Sequence, residues 1–538
     1  MTQEREAGPI HSLGMSIHPS GGSGAGSAVR EVDDDGRPRR TGTASHLPPL
    51  LLHLLLIWIS PLSGGDHKPC EKLSGDRRVK LSVLRPTAGS GTVWTASAHI
   101  ITAVIGSGVL SLSWSMAQLG WAIGPSILLA FAGITLYTSS LLADCYRNSD
   151  HISGKRNYNY MSAVKSNLGA IQIWLCGLCQ YVNLCGTAVG YTVTASISAA
   201  AINKSHCFHS KGHEADCRVS NNIYMVAFGI CQIFFSQLPD FHNLWWLSIL
   251  AAIMSFTYSL IGVGLALARV VAGNNARTYI TGTIIGVDVT AAEKVWNTFQ
   301  ALGDIAFAYS YSMILIEIQD TIKSPPPPEN EVMKKASLIG VVTTTVFYML
   351  CGCLGYKAFG NKAPGNMLTG FGFYEPFWLI DIANICIVVH LLGAYQVYCQ
   401  PVFAVVENRV NRMWPNLKIL TNEIYLINRG RSFQVKINIF RLFWRSAFVV
   451  TSTVLAIVLP FFNDIMGFLG AVGFWPLTVY FPIEMYVRQK KIPRLSTRGI
   501  ALQILSFCCL LVSLAAAIGS IEGVMVSLKT YKPFHTKS

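Results

Sequence analysis

Charge is what this chain has least of. Only 13% of its 538 residues are Asp, Glu, Lys or Arg, about half of what a soluble protein of this size needs to cover its surface. Long apolar runs of roughly 20 residues recur instead, each matching the hydrocarbon thickness of a bilayer, and the mean hydropathy is +0.41. A soluble protein is excluded, and the expected class is an all-α polytopic membrane protein. Catalytic signatures are missing too. There is no Walker P-loop and no HExxH, so neither an ATP-driven pump nor a metalloprotease is supported. The expectation is therefore no enzyme, no cofactor and no metal. The formal net charge is +14, but no basic stripe interleaved with aromatics is present, which excludes nucleic acid as a partner. The lipid bilayer is the expected surrounding, and the basic excess bears on topology.

About eleven transmembrane helices are predicted, at 93–117, 119–142, 171–201, 222–238, 243–268, 297–318, 337–356, 376–406, 446–462, 466–485 and 500–520. Lys and Arg then orient them. The loops at 143–170, 319–336, 407–445 and 486–499 together hold 20 basic residues, whereas 203–221, 269–296, 357–375 and 521–538 hold 11. A cytoplasmic N-terminus and an extracellular C-terminus follow from that asymmetry, in a multi-pass protein.

Of the 14 cysteines, most lie inside predicted spans, where packing explains them. Cys176 and Cys179 form a CxxC within an apolar helix, a poor place for redox or metal chemistry. Cys207 and Cys217 differ, because both lie in the polar loop 203–221 on the predicted outer side, where disulfides persist. They are the disulfide candidate. Asn203-Lys204-Ser205 is an N-glycosylation sequon, weak because it lies so close to a span. Residues 1–43 read as a disordered cytoplasmic tail, rich in Gly and Ser at first. The following segment contains "LPPLLLHLLLIWISPL" (47–62), too short to span and carrying three prolines. Its continuation has no helical or strand period.

The stretch "VIGSGVLSLSW" (104–114) interrupts the first span with Gly-Ser-Gly. A spanning helix tolerates such a break only where it lines a cavity or binds something. Secondary transporters use breaks in the first helix of each of two inverted repeats, where a half-helix end meets the substrate near the midplane. A small-residue helix contact is the alternative. If the repeats are five helices each, the sixth span, "FQALGDIAFAYSYSMILIEIQD" (299–320), should be broken as well, and Gly303-Asp304 is the predicted break. An acid there is costly and usually functional.

Three blocks, "WTASAHIITAVIGSGVLSLSWSMAQLGWAIGP" (94–125), "TFQALGDIAFAYSYSMILIEIQDTIKSPPPPENEVMKKAS" (298–337) and "GYKAFGNKAPGNMLTGFGFYEPFWLIDIANICIVVHLLGAYQVYCQP" (355–401), closely resemble the plant amino acid permease family. The resemblance runs from about Val93 to the C-terminus. Auxin influx carriers and lysine/histidine transporters are poorer matches. It implies a proton-coupled amino acid symporter of the plasma membrane, built on the inverted-repeat (5+5) fold with helices 1 and 6 broken. Family members run directly from "RPRRTGT" (here Arg37–Thr43) into "VWTASAHI" (here Val93–Ile100), and Gly-Thr occurs at both 42–43 and 91–92. Residues 44–92 are therefore expected to be a retained intron or gene-model artefact, leaving 93–538 as the transporter domain.

A zwitterionic substrate needs an anion site, a cation site and a side-chain pocket. The carboxylate is assigned to amides around Ile105, Gly106, Ser107 and Gly108, with the Ser107 hydroxyl as a further donor. The ammonium is assigned to freed carbonyls around Gly303, Ile305 and Ala306, with Phe307 walling the side chain. Proton-coupling candidates are His99, Asp304, Asp381 and His390. His99 lies seven residues before Gly106, nearly on one face, and histidine titrates in the useful range. Asp381 and His390 are nine residues apart and face opposite sides. Asp304 and His99 come first, with the proton as coupling ion. A sodium-coupled amino acid transporter is one alternative, weakened because the eighth span contains no Ser or Thr. A non-transporting nutrient receptor is another.

Overall fold

Crossing a bilayer requires every backbone hydrogen bond to close within the protein, which an α-helix does alone. The computed structural model is accordingly helical almost throughout. It describes residues 91–148, 154–212, 215–217, 219–237, 245–273, 276–323, 326–371, 376–414, 423–427 and 434–531. The tail expected at 1–43, and all of the segment 44–92 except Gly91 and Thr92, lie outside them.

The first half comprises α1 (Val93–Val104), a 3-10 turn (Ser107–Ser111), α2 (Leu112–Asp144), the short α3 (Tyr160–Leu168), α4 (Ala170–Lys211), α5 (Asn221–Ser236) and α6 (Trp245–Val271). The second comprises α7 (Ala291–Ala308), α8 (Ser312–Asp320), α9 (Glu329–Phe359) and α10 (Phe377–Met413). An antiparallel ribbon of β1 (Glu423–Ile427) and β2 (Gln434–Asn438) leads into α11 (Ile439–Val458). Last come α12 (Phe462–Gly473), which passes through a π-helical turn into α13 (Phe481–Gln489), and α14 (Thr497–Thr530).

Among the described residues nine helical stretches are long and apolar enough to cross a membrane, fewer than the eleven predicted. The difference has two sources. The first predicted span is cut by its break, so that Ser107–Asp144 reads as one stretch, and Asn221–Ser236 is only 16 residues long. Inside α2 the chain still turns where the first two spans were separated. Gly120 adopts φ 76°, where a side chain would be strained. The loop at 279–283 caps both sides of that turn: Thr283 N–H donates to Ala117 O (2.9 Å) and Ala122 N–H to Ile280 O (3.2 Å).

Packing sets the two breaks face to face. The extended contacts are α9 on α2, α10 on α4, and α12 and α14 on α7. The α7–α12 crossing is made by glycines: a Cβ at Gly303 would lie 2.9 Å from Gly467 C and Cα, so the two backbones approach closely, as small residues allow between membrane helices. At one end, Arg147 grips the buried Glu329 with two bonds (3.1 and 2.7 Å), and Lys334 pairs with Asp144 at 2.7 Å. At α4's far end the helix continues past its predicted stop at 201 to Lys211. Cys207 and Cys217 are joined there by a disulfide. Asn203 is itself helical, and its amide donates to the Tyr224 hydroxyl at 2.7 Å.

Candidate functional site

The first break lies where Gly-Ser-Gly predicts one. Helix α1 ends at Val104, Ile105 and Gly106 leave the helical region, and the 3-10 turn starts at Ser107. Not all the expected amides are free. Ile105 N–H donates to Ile101 O (2.8 Å) and Gly106 N–H to Val104 O (2.9 Å), so the correction is that Ser107 and Gly108, in the first turn of the new helix, offer the N–H groups without internal partners. Gly106 stands in open space, with nothing within 4 Å of a Cβ placed on it, whereas Gly108 packs on Phe307 and Ala308 at 3.2 Å.

The second break is not at Gly303-Asp304. Helix α7 runs through both residues to Ala308, and the interruption is Tyr309–Tyr311. Gly303 serves the close crossing with Gly467 rather than backbone freedom. The carbonyls expected around Gly303, Ile305 and Ala306 move accordingly. Ile305 is buried at 0% exposure inside α7, and Ala306 O already accepts from Tyr309 N–H (3.3 Å) and the Ser310 hydroxyl (2.9 Å). The carbonyl end of this half-helix is Ala308.

Between the breaks lies a cavity of about 20 Å³. Val104, Gly106, Ser107 and Gly108 form one wall and Phe307, Ala308 and Ser310 the opposite one. Asn183, Thr187 and Tyr191 of α4 and Tyr398 of α10 close it. That volume holds about one water, far below the ~300 Å³ of an ordinary ligand site, so the walls must part to admit a substrate. A larger cavity of about 560 Å³ opens elsewhere, among Ile202, Asn203, His206 and Tyr224. Neither break lines it, and we place the candidate site at the smaller one.

Of the titratable candidates, only Asp304 connects to a break. It is fully buried, and its Oδ2 lies 3.3 Å from the Ser115 hydroxyl. Ser115 in turn reaches Ser111 O (3.2 Å), and the Ser111 hydroxyl donates to Gly108 O (3.0 Å). Asp304 Oδ1 has no hydrogen-bond partner among the described residues. Nearby, Gln300 donates to Asp464 of α12 at 2.7 Å. His99 lies on the exposed side of α1, away from the buried Ala96, Ser97, Ile100 and Val104. The expectation that it faces the first break is corrected, because the register of α1 stops at Val104 and does not carry past Ile105. Asp381 is drawn off to His206, 3.1 Å away at the end of α4. His390 packs against α6, with Nδ1 2.9 Å from the Ser255 hydroxyl and 3.0 Å from Ala251 O.

Three features escaped the sequence. The serines at 107, 111 and 115 recur every fourth residue, a helical stripe that was open to detection. Asn183, Thr187 and Tyr191 form a similar stripe on α4. Tyr348 of α9 gave no signal at all, yet its hydroxyl lies 2.6 Å from Val104 O and 2.8 Å from Ala308 O, the carbonyl ends of both half-helices.

The family model for transmembrane amino acid transporter proteins matches residues 89–526. Amino acid permease 3 of Arabidopsis thaliana is 60% identical over 448 residues, covering 83% of this chain and 94% of that protein. Amino acid permease 8 of Arabidopsis thaliana is 61% identical over 445 residues, covering 83% and 93%. Among solved structures, the crystal structure of MhsT in complex with L-phenylalanine aligns with a TM-score of 0.47 and 12% identity, covering 82% of this chain and 100% of that one.

Proposed function

The chain belongs to the transmembrane amino acid transporter family, and on that premise we propose that it imports amino acids together with protons across the plasma membrane, its N-terminus cytoplasmic and its C-terminus extracellular. Amino acid transport is the function its permease relatives are named for. The observation that carries the reading is the apposition of two interrupted helices across one small cavity, the arrangement by which secondary transporters hold substrate at the midplane.

In this reading the substrate carboxylate meets the free N–H groups of Ser107 and Gly108, beside the open backbone of Gly106. The positive end of a helix favours an anion there. The ammonium meets the carbonyl end of α7 at Ala308, and the Phe307 ring bounds the side chain. Asp304 is the proton carrier. The Ser115 hydroxyl beside it has one proton, which goes to Asp304 when that carboxyl is ionised and to Ser111 O, in the 3-10 turn that follows the first break, when it is not. Gaining and losing a proton at Asp304 thereby biases the first break. No cofactor enters beyond the proton.

The test is substrate-evoked current in oocytes, with neutral amino acids applied at acidic and neutral external pH. Inward current that grows at acidic pH without sodium is the expected result. Current that needs sodium would replace this reading with the sodium-coupled one, and no current despite surface expression would refute transport.

A further inference from the structure

The carbonyl ends of α1 and α7 converge on one point, and the Tyr348 hydroxyl occupies it. Helix C-termini carry negative partial charge, and broken-helix carbonyls of this kind are what transporters use to coordinate a coupling cation. A tyrosine hydroxyl has one proton to donate and cannot satisfy two carbonyls at once. Val104 O also accepts from Gly106 N–H (2.9 Å), so Ala308 O is the acceptor left without a donor whenever the hydroxyl proton points at Val104 O, and the two carbonyls together present more negative charge than one neutral hydroxyl satisfies. Tyr348 is held there firmly. It is fully buried, its ring meets Tyr309 edge-on at 5.3 Å, and the Tyr309 hydroxyl is tied to Thr345 at 3.0 Å, one turn before Tyr348 on α9.

We propose that the Tyr348 hydroxyl stands in the position of a metal coupling cation, bridging the two half-helices and excluding sodium from the point where their carbonyls meet. Tyr348 is on this view a positioning residue that determines which ion the transporter needs. Its proton points at Val104 O or Ala308 O, and the substrate ammonium supplies the donor for Ala308 O when the proton points at Val104 O. The proposal rests on the amino acid transport reading, so wild-type uptake is measured first. If the wild type takes up no amino acid, that reading fails on its own.

The experiment compares uptake by wild type, Tyr348→Ser and Tyr348→Phe, normalised to surface protein, in sodium and in choline. The probe is the single neutral L-amino acid that gives the largest wild-type current. The serine variant removes the ring and leaves room for an ion, so its uptake is expected to be about tenfold higher in sodium than in choline. The phenylalanine variant keeps the volume but leaves the buried Ala308 O without its donor, and its uptake is expected to fall about tenfold with no response to sodium. A merely structural role would lower uptake in both variants without creating a sodium response. Where the serine variant fails to reach the surface, stabilisation of the solubilised protein by sodium against heat gives the same reading. A sodium-indifferent serine variant, a phenylalanine variant equal to wild type, or sodium dependence already in the wild type would overturn the assignment.

Discussion

Replacing Asp304 by Asn separates proton coupling from binding. The side chain lies at 0% exposure, and its one bond, to the Ser115 hydroxyl, is long at 3.3 Å. Asn has nearly the same shape and accepts that bond through its carbonyl oxygen, but its buried amide N–H groups replace an oxygen that has no partner among the described residues, so about 1–3 kcal/mol of stability should be lost. The effect on coupling is separate. One proton moving down a gradient of one pH unit releases about 1.4 kcal/mol, which sustains roughly tenfold accumulation of a co-transported neutral solute. The assay is uptake of labelled neutral amino acid into proteoliposomes made acidic outside, run beside exchange between equal pools. Wild type should accumulate substrate in proportion to the gradient. Asp304→Asn should exchange substrate at a rate within a few-fold of wild type and accumulate none. A variant that still accumulates would refute the role of Asp304 as carrier. One that loses exchange as well would place Asp304 in binding instead.

Gly303→Ala drives a methyl group into the backbone of Gly467, which no rotamer relieves; about 1–3 kcal/mol of stability should be lost, read as a lower melting midpoint in detergent. Gly106→Ala, with open space around its Cβ, should leave that midpoint unchanged and reduce uptake. Glu329→Ala removes the buried carboxylate that Arg147 and Arg156 share, costing about 3–5 kcal/mol, and thermal unfolding checks it. Cys207→Ser removes a disulfide that closes a loop of sequence separation 10; about 3 kcal/mol should go with it, and reducing agent should no longer shift the variant's midpoint. Deleting 44–92 should leave transport intact. Gly91 bridges to Ile322 and Thr92 caps α1, and Gly42-Thr43 would bring the same two residue types to those places. Transcripts that uniformly encode the 49 residues between Thr43 and Val93 would argue against an intron origin.

The fold was legible because hydropathy reports membrane helices directly, and the first break because Gly-Ser-Gly is a local instruction. What failed was periodicity carried across a discontinuity. His99 and Gly106 share a face only if the helix between them is unbroken, and the break at Ile105 that makes Gly106 interesting also cancels that register. The surroundings of Asp381 are hidden for a different reason. Its partner His206 lies on the part of α4 beyond 201, outside the predicted span, so the pair at 3.1 Å has no place in a span-by-span reading.

The second break shows the deeper limit. Its residues, Tyr309, Ser310 and Tyr311, include no glycine or proline, and nothing in their intrinsic preference ends a helix. The interruption is maintained from outside: the Tyr348 hydroxyl takes the Ala308 carbonyl, and Thr345 holds the Tyr309 hydroxyl. Both anchors are on α9, which also reaches the first break through Val104 O. The first break is not independent of that helix either: Gly106 has a negative φ of −125°, which does not require glycine, and the same Tyr348 hydroxyl reaches the carbonyl that ends α1. If α9 shifts relative to α1 and α7 during transport, both half-sites lose that contact together, and this coupling follows from one hydroxyl lying within reach of both carbonyl ends.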